Sequence, residues 1–112
     1  MLNMENFPSF ENKIEKAEVL EMLRLNGFEH PETRSAVIKW TEQQEVLVTN
    51  ENTAKARIYF EIERADLYIA VKDIEGALDC LEDVRIQAHQ ENEVELYNEI
   101  MKKMDEVSEI GK

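Results

Sequence analysis

Apolar positions recur at helical spacing through most of the chain, and they are densest between Ala54 and Gln90. Ala54, Ile58, Ile62, Ala65 and Ile69 fall at intervals of four, four, three and four, one stripe of a helix. Phe60, Leu67 and Val71 form a second apolar set on another side of the same segment. A helix apolar on two sides needs neighbours on two sides, so this one is predicted to be central. Ile74, Ala77, Leu78, Leu81, Val84 and Ala88 continue the period after a break at Lys72-Asp73, with Asp79, Glu82, Asp83 and Gln87 left for water. Asp73 is a natural N-cap, since its carboxylate can accept from the free amides of a new first turn and oppose the helix dipole. A connection this short forces an antiparallel hairpin.

The flanks follow the same rule. Ile14, Ala17, Leu20 (or Val19) and Leu23 predict a helix over 13–26, closed by a left-handed C-cap at Asn26-Gly27, with Phe28 returning to the core. Pro31 suits the first position of the next helix, where its missing amide costs nothing, and His30 suits the cap before it. Ala36 or Val37, Trp40, Gln44 and Leu47 then face inward as far as Val48, and Thr49 to Thr53 form a turn. After a further turn at Glu91-Asn92-Glu93, the residues Val94, Tyr97, Ile100 or Met101, Met104 and Val107 make a last helix that frays before Gly111. The fold class is therefore all-α, about five antiparallel helices in a small bundle over 13–110, with 1–12 as a flexible N-terminal arm.

At the central hairpin, Ala65, Tyr68, Asp73, the run Ile74-Glu75-Gly76-Ala77-Leu78 and Leu81 resemble a tetratricopeptide (TPR) hairpin. The resemblance covers about a third of the chain, roughly 58–90. It implies helical hairpins of TPR-like geometry and a role in binding a peptide or protein. The sequence departs from the motif where Glu61 and Arg64 stand for large apolar residues, Lys72 for the turn glycine, Val84 for a small residue and His89 for the closing proline. The same Ala/Tyr/Asp/Ala-Leu rhythm is similar to that of the three-helix MIT (microtubule-interacting and trafficking) domain. No second copy of the hairpin pattern stands out, so a stack of this kind would have one good repeat covered by divergent helices.

Charge and chemistry change this picture little. The 112 residues carry net charge −12, with nine acids against five bases in 1–50 and sixteen against eight in 51–112. No basic patch survives that balance, so direct nucleic-acid binding is not expected. Acidity of this kind selects basic partners without specifying a fold. Neither an apolar run long enough for a membrane span nor a secretory leader is evident, and Cys80 is alone, which together point to a cytoplasmic protein. Cys80, ringed by Asp79, Glu82 and Asp83, reads as a half-buried hydrophobe.

No catalytic or metal-binding constellation emerges. His30 and His89 lack the Glu-x-x-His or His-Glu-x-x-His spacing of helical metal sites, and no serine has a histidine at an interpretable position. Three scattered glycines make no phosphate loop. Neighbouring acids, Glu61 with Asp66 and Asp79 with Glu82 and Asp83, read as solvated helix faces. Trp40 reads as core. The candidate partner contacts are Tyr59, off the main stripe among charges, and Tyr97, Met101 and Met104 on a wide, adaptable last helix. The expectation is a non-enzymatic interaction module without cofactor, binding a protein, a peptide or a second copy of itself. The competing expectation is an acidic inhibitor or nucleic-acid mimic that occupies a basic cleft.

Overall fold

The computed structural model describes residues 13–111, so the arm expected over 1–12 lies outside the described residues. Five helices follow one another: α1 Lys16–Asn26, α2 Pro31–Glu51, α3 Ala54–Ala70, α4 Ile74–Gln90 and α5 Val94–Ile110. Among the described residues there is no strand. The principal extents are 46 × 35 × 15 Å. With helix axes about 8–10 Å apart, the short dimension leaves room for two helix layers.

The two apolar sides predicted for the central segment are both used. Ile58, Ile62 and Ala65 of α3 join Ala77, Leu81, Val84 and Ala88 of α4 and Leu96, Ile100 and Val107 of α5 in one buried cluster. Phe60 and Leu67 of α3 join Val19, Leu23, Ala36 and Trp40 of α1 and α2 in another. Trp40 and Phe60 sit with ring centroids 6.1 Å apart. Helix α3 is thus the partition between two small cores, and it contacts all four other helices. Ala65 and Ala77 are both fully buried in the first core, where their small size lets α3 and α4 approach closely.

An ion cluster joins the two halves across that partition. Asp66, on α3, accepts from Lys16 of α1 at 2.6 Å and from Lys103 of α5 at 2.7 Å, and Glu63 lies 4.0 Å from the same Lys16 nitrogen. Burial opposes ionisation of Asp66, but the hydrogen bonds from Lys103 and Lys16 outweigh it and hold its pKa below the ordinary carboxylate value. The sequence pattern placed Asp66 on a solvated face. That reading fails because one lysine from each of two packed helices, Lys16 of α1 and Lys103 of α5, reaches the carboxylate.

Helix ends follow local chemistry. The Asp73 side chain accepts from the Gly76 amide at 3.0 Å, and Thr53 Oγ1 accepts from Ala56 at 3.1 Å. His30 Nδ1 accepts from the Glu32 amide at 3.2 Å, with Pro31 at the first position as predicted. Helix α1 begins later than expected, at Lys16, because Glu15 and Glu18 form a reciprocal capping box. Helix α2 runs past Val48 to Glu51 and stops only where Asn52 turns left-handed at φ 54°. Its last turns carry no buried residue, so the hydrophobic pattern gave out before the helix did.

Three of the expected inward residues point elsewhere. Leu47 is 56% exposed, Val94 is 65% exposed, and Phe28 is 46% exposed. Gly27 adopts φ 77° with ψ 167°, an extended left-handed geometry that throws Phe28 outward and lays it under the Arg34 guanidinium at 5.8 Å. On α5 the buried residues are Leu96 and, as expected, Ile100 and Val107. Tyr97 and Met104 pack half-buried beside them, and Leu96 takes the inward place expected of Val94.

Candidate functional site

The concave features nearest the two cores meet at Arg64 and Tyr68. On one side lies an apolar depression of about 390 Å³ between the first hairpin and α3, walled by Leu23, Phe28, Val37, Leu67 and Val71, with Thr41 and Asp73 at its edge. On the other side lies a polar trough of about 410 Å³ along the α3–α4 groove, lined by Glu61, Asp79, Cys80, Asp83 and Gln87, with Gly76 beneath. Arg64 and Tyr68 line both, so the two depressions form one composite cleft.

Local sequence explains this shape. Arg64, Leu67 and Tyr68 lie at three and four along α3 with Val71 at its C-cap, and the polar edge of α4 repeats as Gly76, Asp79 with Cys80, Asp83 and Gln87. Gly76 has no side chain, so the Tyr68 ring lies directly on the α4 backbone. Phe28, turned out by Gly27, supplies the outer wall. The placement that removed it from the core is the one that makes the pocket.

The electrostatics are uneven along the cleft. Arg64 Nη1 donates to both Glu61 carboxylate oxygens, at 3.1 and 3.2 Å, and its guanidinium lies 5.9 Å from the Phe60 ring centroid. Burial opposes the Arg64 charge, but Glu61, with Cys80 and Tyr68 nearby, raises its pKa above the ordinary value. Cys80 is pushed the other way from reactivity: burial, aided by Glu61, Asp83 and Asp79, raises the thiol pKa against the pull of Arg64. Asp79 and Asp83 are exposed and make no ion pair among the described residues.

The sequence-derived contacts lie elsewhere. Tyr59 is 45% exposed and lines an open groove of about 800 Å³, with Leu47, Val48 and Glu51 at the end of α2 and Glu91 and Glu93 at the α4–α5 turn. Tyr97 and Met104 are half-buried and pack against the first core, and the Tyr97 ring lies tilted, its centroid 5.9 Å from that of His89. Met101 is 37% exposed. Tyr97, Met101 and Met104 share α5, and Tyr59 stands apart from them on α3. None of the four lines the composite cleft. Phe28, Arg64, Tyr68, Asp79 and Asp83 were missed as a group because they come from three segments whose mutual placement no periodicity records.

Among the described residues no group of three His, Cys, Asp or Glu could hold a metal ion, and no helix is long and apolar enough to cross a membrane. Comparison with protein-family models, curated proteins and solved structures gives no match for this chain.

Proposed function

We propose that this chain is a non-enzymatic helical interaction module of TPR-like geometry that holds a peptide segment of a partner protein in the composite cleft. The observation that carries the reading is the junction at Arg64 and Tyr68 of an apolar pocket with a polar trough. An apolar pocket suits an anchoring side chain, and fixed polar groups beside it set the orientation of the rest. The hairpin resemblance supports the same reading, since the cleft runs over the α3–α4 pair that carries it. The acidic-mimic alternative has less support. Asp66, Glu61 and Glu82 are engaged by lysines or arginines of the same chain rather than presented together on one face.

Selection of a random peptide display library against the intact protein tests the proposal, with the bound clones mapped by amide chemical shifts. Perturbations should centre on Phe28, Val37, Arg64, Tyr68 and Asp79, and Tyr68→Ala should abolish them. Selected peptides that map to the Tyr59 groove or to Met101 and Met104, or an unproductive selection, would remove the cleft from consideration.

A further inference from the structure

The charges in the cleft have an imbalance that points to the chemistry of its occupant. Asp79 and Asp83 stand four residues apart on α4, where like charges on a helix repel one another. Neither has an ion-pair partner among the described residues. Glu61, across the trough, is already paired with Arg64. A cation brought in from outside therefore has two free carboxylates to meet. The apolar pocket lies next to it on the other side of Tyr68, with room for a bulky side chain. A second copy of the chain, itself at net charge −12, is repelled from such a trough.

From this juxtaposition we infer that the partner segment is a linear peptide presenting a bulky apolar anchor flanked by arginine or lysine, the anchor entering the pocket beside Phe28 and the base lying over Asp79 and Asp83. This deepens the function proposed above and rests on it. The anchor supplies affinity by apolar burial, and the base supplies orientation and salt dependence.

Three fluorescein-labelled peptides of equal length separate the elements: one containing Leu-Phe-Arg-Arg, one Leu-Phe-Glu-Glu and one Ser-Ser-Arg-Arg, each titrated into the full chain and read by anisotropy. The first should bind about tenfold tighter than either control, weaken with added salt, and slow alkylation of Cys80. Asp79→Asn with Asp83→Asn should weaken it by about threefold to tenfold, as expected of two exposed ion pairs. Asp105→Asn with Glu106→Gln, which removes the same charge from exposed positions of α5, should leave affinity within about twofold. All four positions are exposed, so both variants should fold. Equal losses from the two double variants would reduce the effect to net charge and overturn the inference. Equal binding of the Leu-Phe-Glu-Glu peptide in the cleft would overturn the basic preference while the interaction module stood. Absence of binding by all three peptides, alongside binders from the display selection, would reject this anchor-and-base arrangement alone. A dimer of the chain in sedimentation that the first peptide dissociates would assign the cleft to a second copy instead.

Discussion

The Tyr68 ring lies so close over Gly76 that a Cβ built on the glycine would stand 2.5 Å from Cδ1 and 2.8 Å from Cε1 of that ring. The same Cβ would come within 2.8 Å of an Asp73 carboxylate oxygen, the cap of α4. Ordinarily an alanine in place of a helical glycine gains about 1 kcal/mol. Here the ring must leave its seat, and overpacking of this kind costs about 1–3 kcal/mol. Gly76→Ala should therefore lower the urea midpoint, and Gly76→Ala combined with Tyr68→Leu should recover much of the loss. A stabilising Gly76→Ala would show that Tyr68 yields freely and does not shape the cleft.

The α3 and α4 helices end alike. Lys72 has φ 63° and Asn92 has φ 59°. The amide after each reaches back to the same position in its helix: Asp73 to Tyr68 and Glu93 to Ala88, both at 2.9 Å. Left-handed backbone carries a steric cost for a lysine that asparagine tolerates better and glycine avoids. Lys72→Gly should raise stability by about 0.5–1 kcal/mol, and Asn92→Gly by less. Chemical denaturation of the two single variants orders them, and a larger gain at Asn92 would contradict the account.

How far the sequence could be read depended on whether a feature was local. Caps, the Pro31 start and the double-sided character of α3 follow from neighbouring residues, and the structure has them. On α5 the choice between Ile100 and Met101 stayed open and Leu96 was passed over for Val94, because both sets match the helical period nearly equally. Only the direction of approach of α4 decides between them. The Asp66 ion cluster and the composite cleft were invisible for a stronger reason. Lys16, Asp66 and Lys103 are separated by 50 and 37 residues, and only the assembled bundle brings them together.

Thr33, on the first turn of α2, is fully buried, and its hydroxyl finds no hydrogen-bond partner among the described residues. An unsatisfied buried hydroxyl forfeits about 1–3 kcal/mol of solvation, and valine replaces it with a methyl group of similar shape. Thr33→Val should raise the melting temperature, with a gain of about 1 kcal/mol in the denaturation free energy. A loss would mean that the hydroxyl is satisfied after all, by water for instance.

Asp66 sets the acid limb of stability. Its carboxylate receives both lysines, one on each oxygen, and its pKa in the fold lies below the ordinary value. The ionised form is therefore the one that folding favours. That contribution is complete above the unfolded value of about 3.9, declines as pH falls below it, and is gone once pH has passed below the folded value. Asp66→Asn keeps the shape but leaves one lysine facing an amide NH₂ and removes the charge from both contacts. At neutral pH it should cost about 1–3 kcal/mol, the range for hydrogen bonds to charged groups, at the lower end because the side chain keeps 27% of its exposure. Below the unfolded value of about 3.9 the gap between the two proteins should begin to narrow, and it should close as pH falls through the lowered folded value. Urea titrations of both proteins across that range measure the gap directly, and a difference that stays constant with pH would show that the ion cluster contributes packing alone.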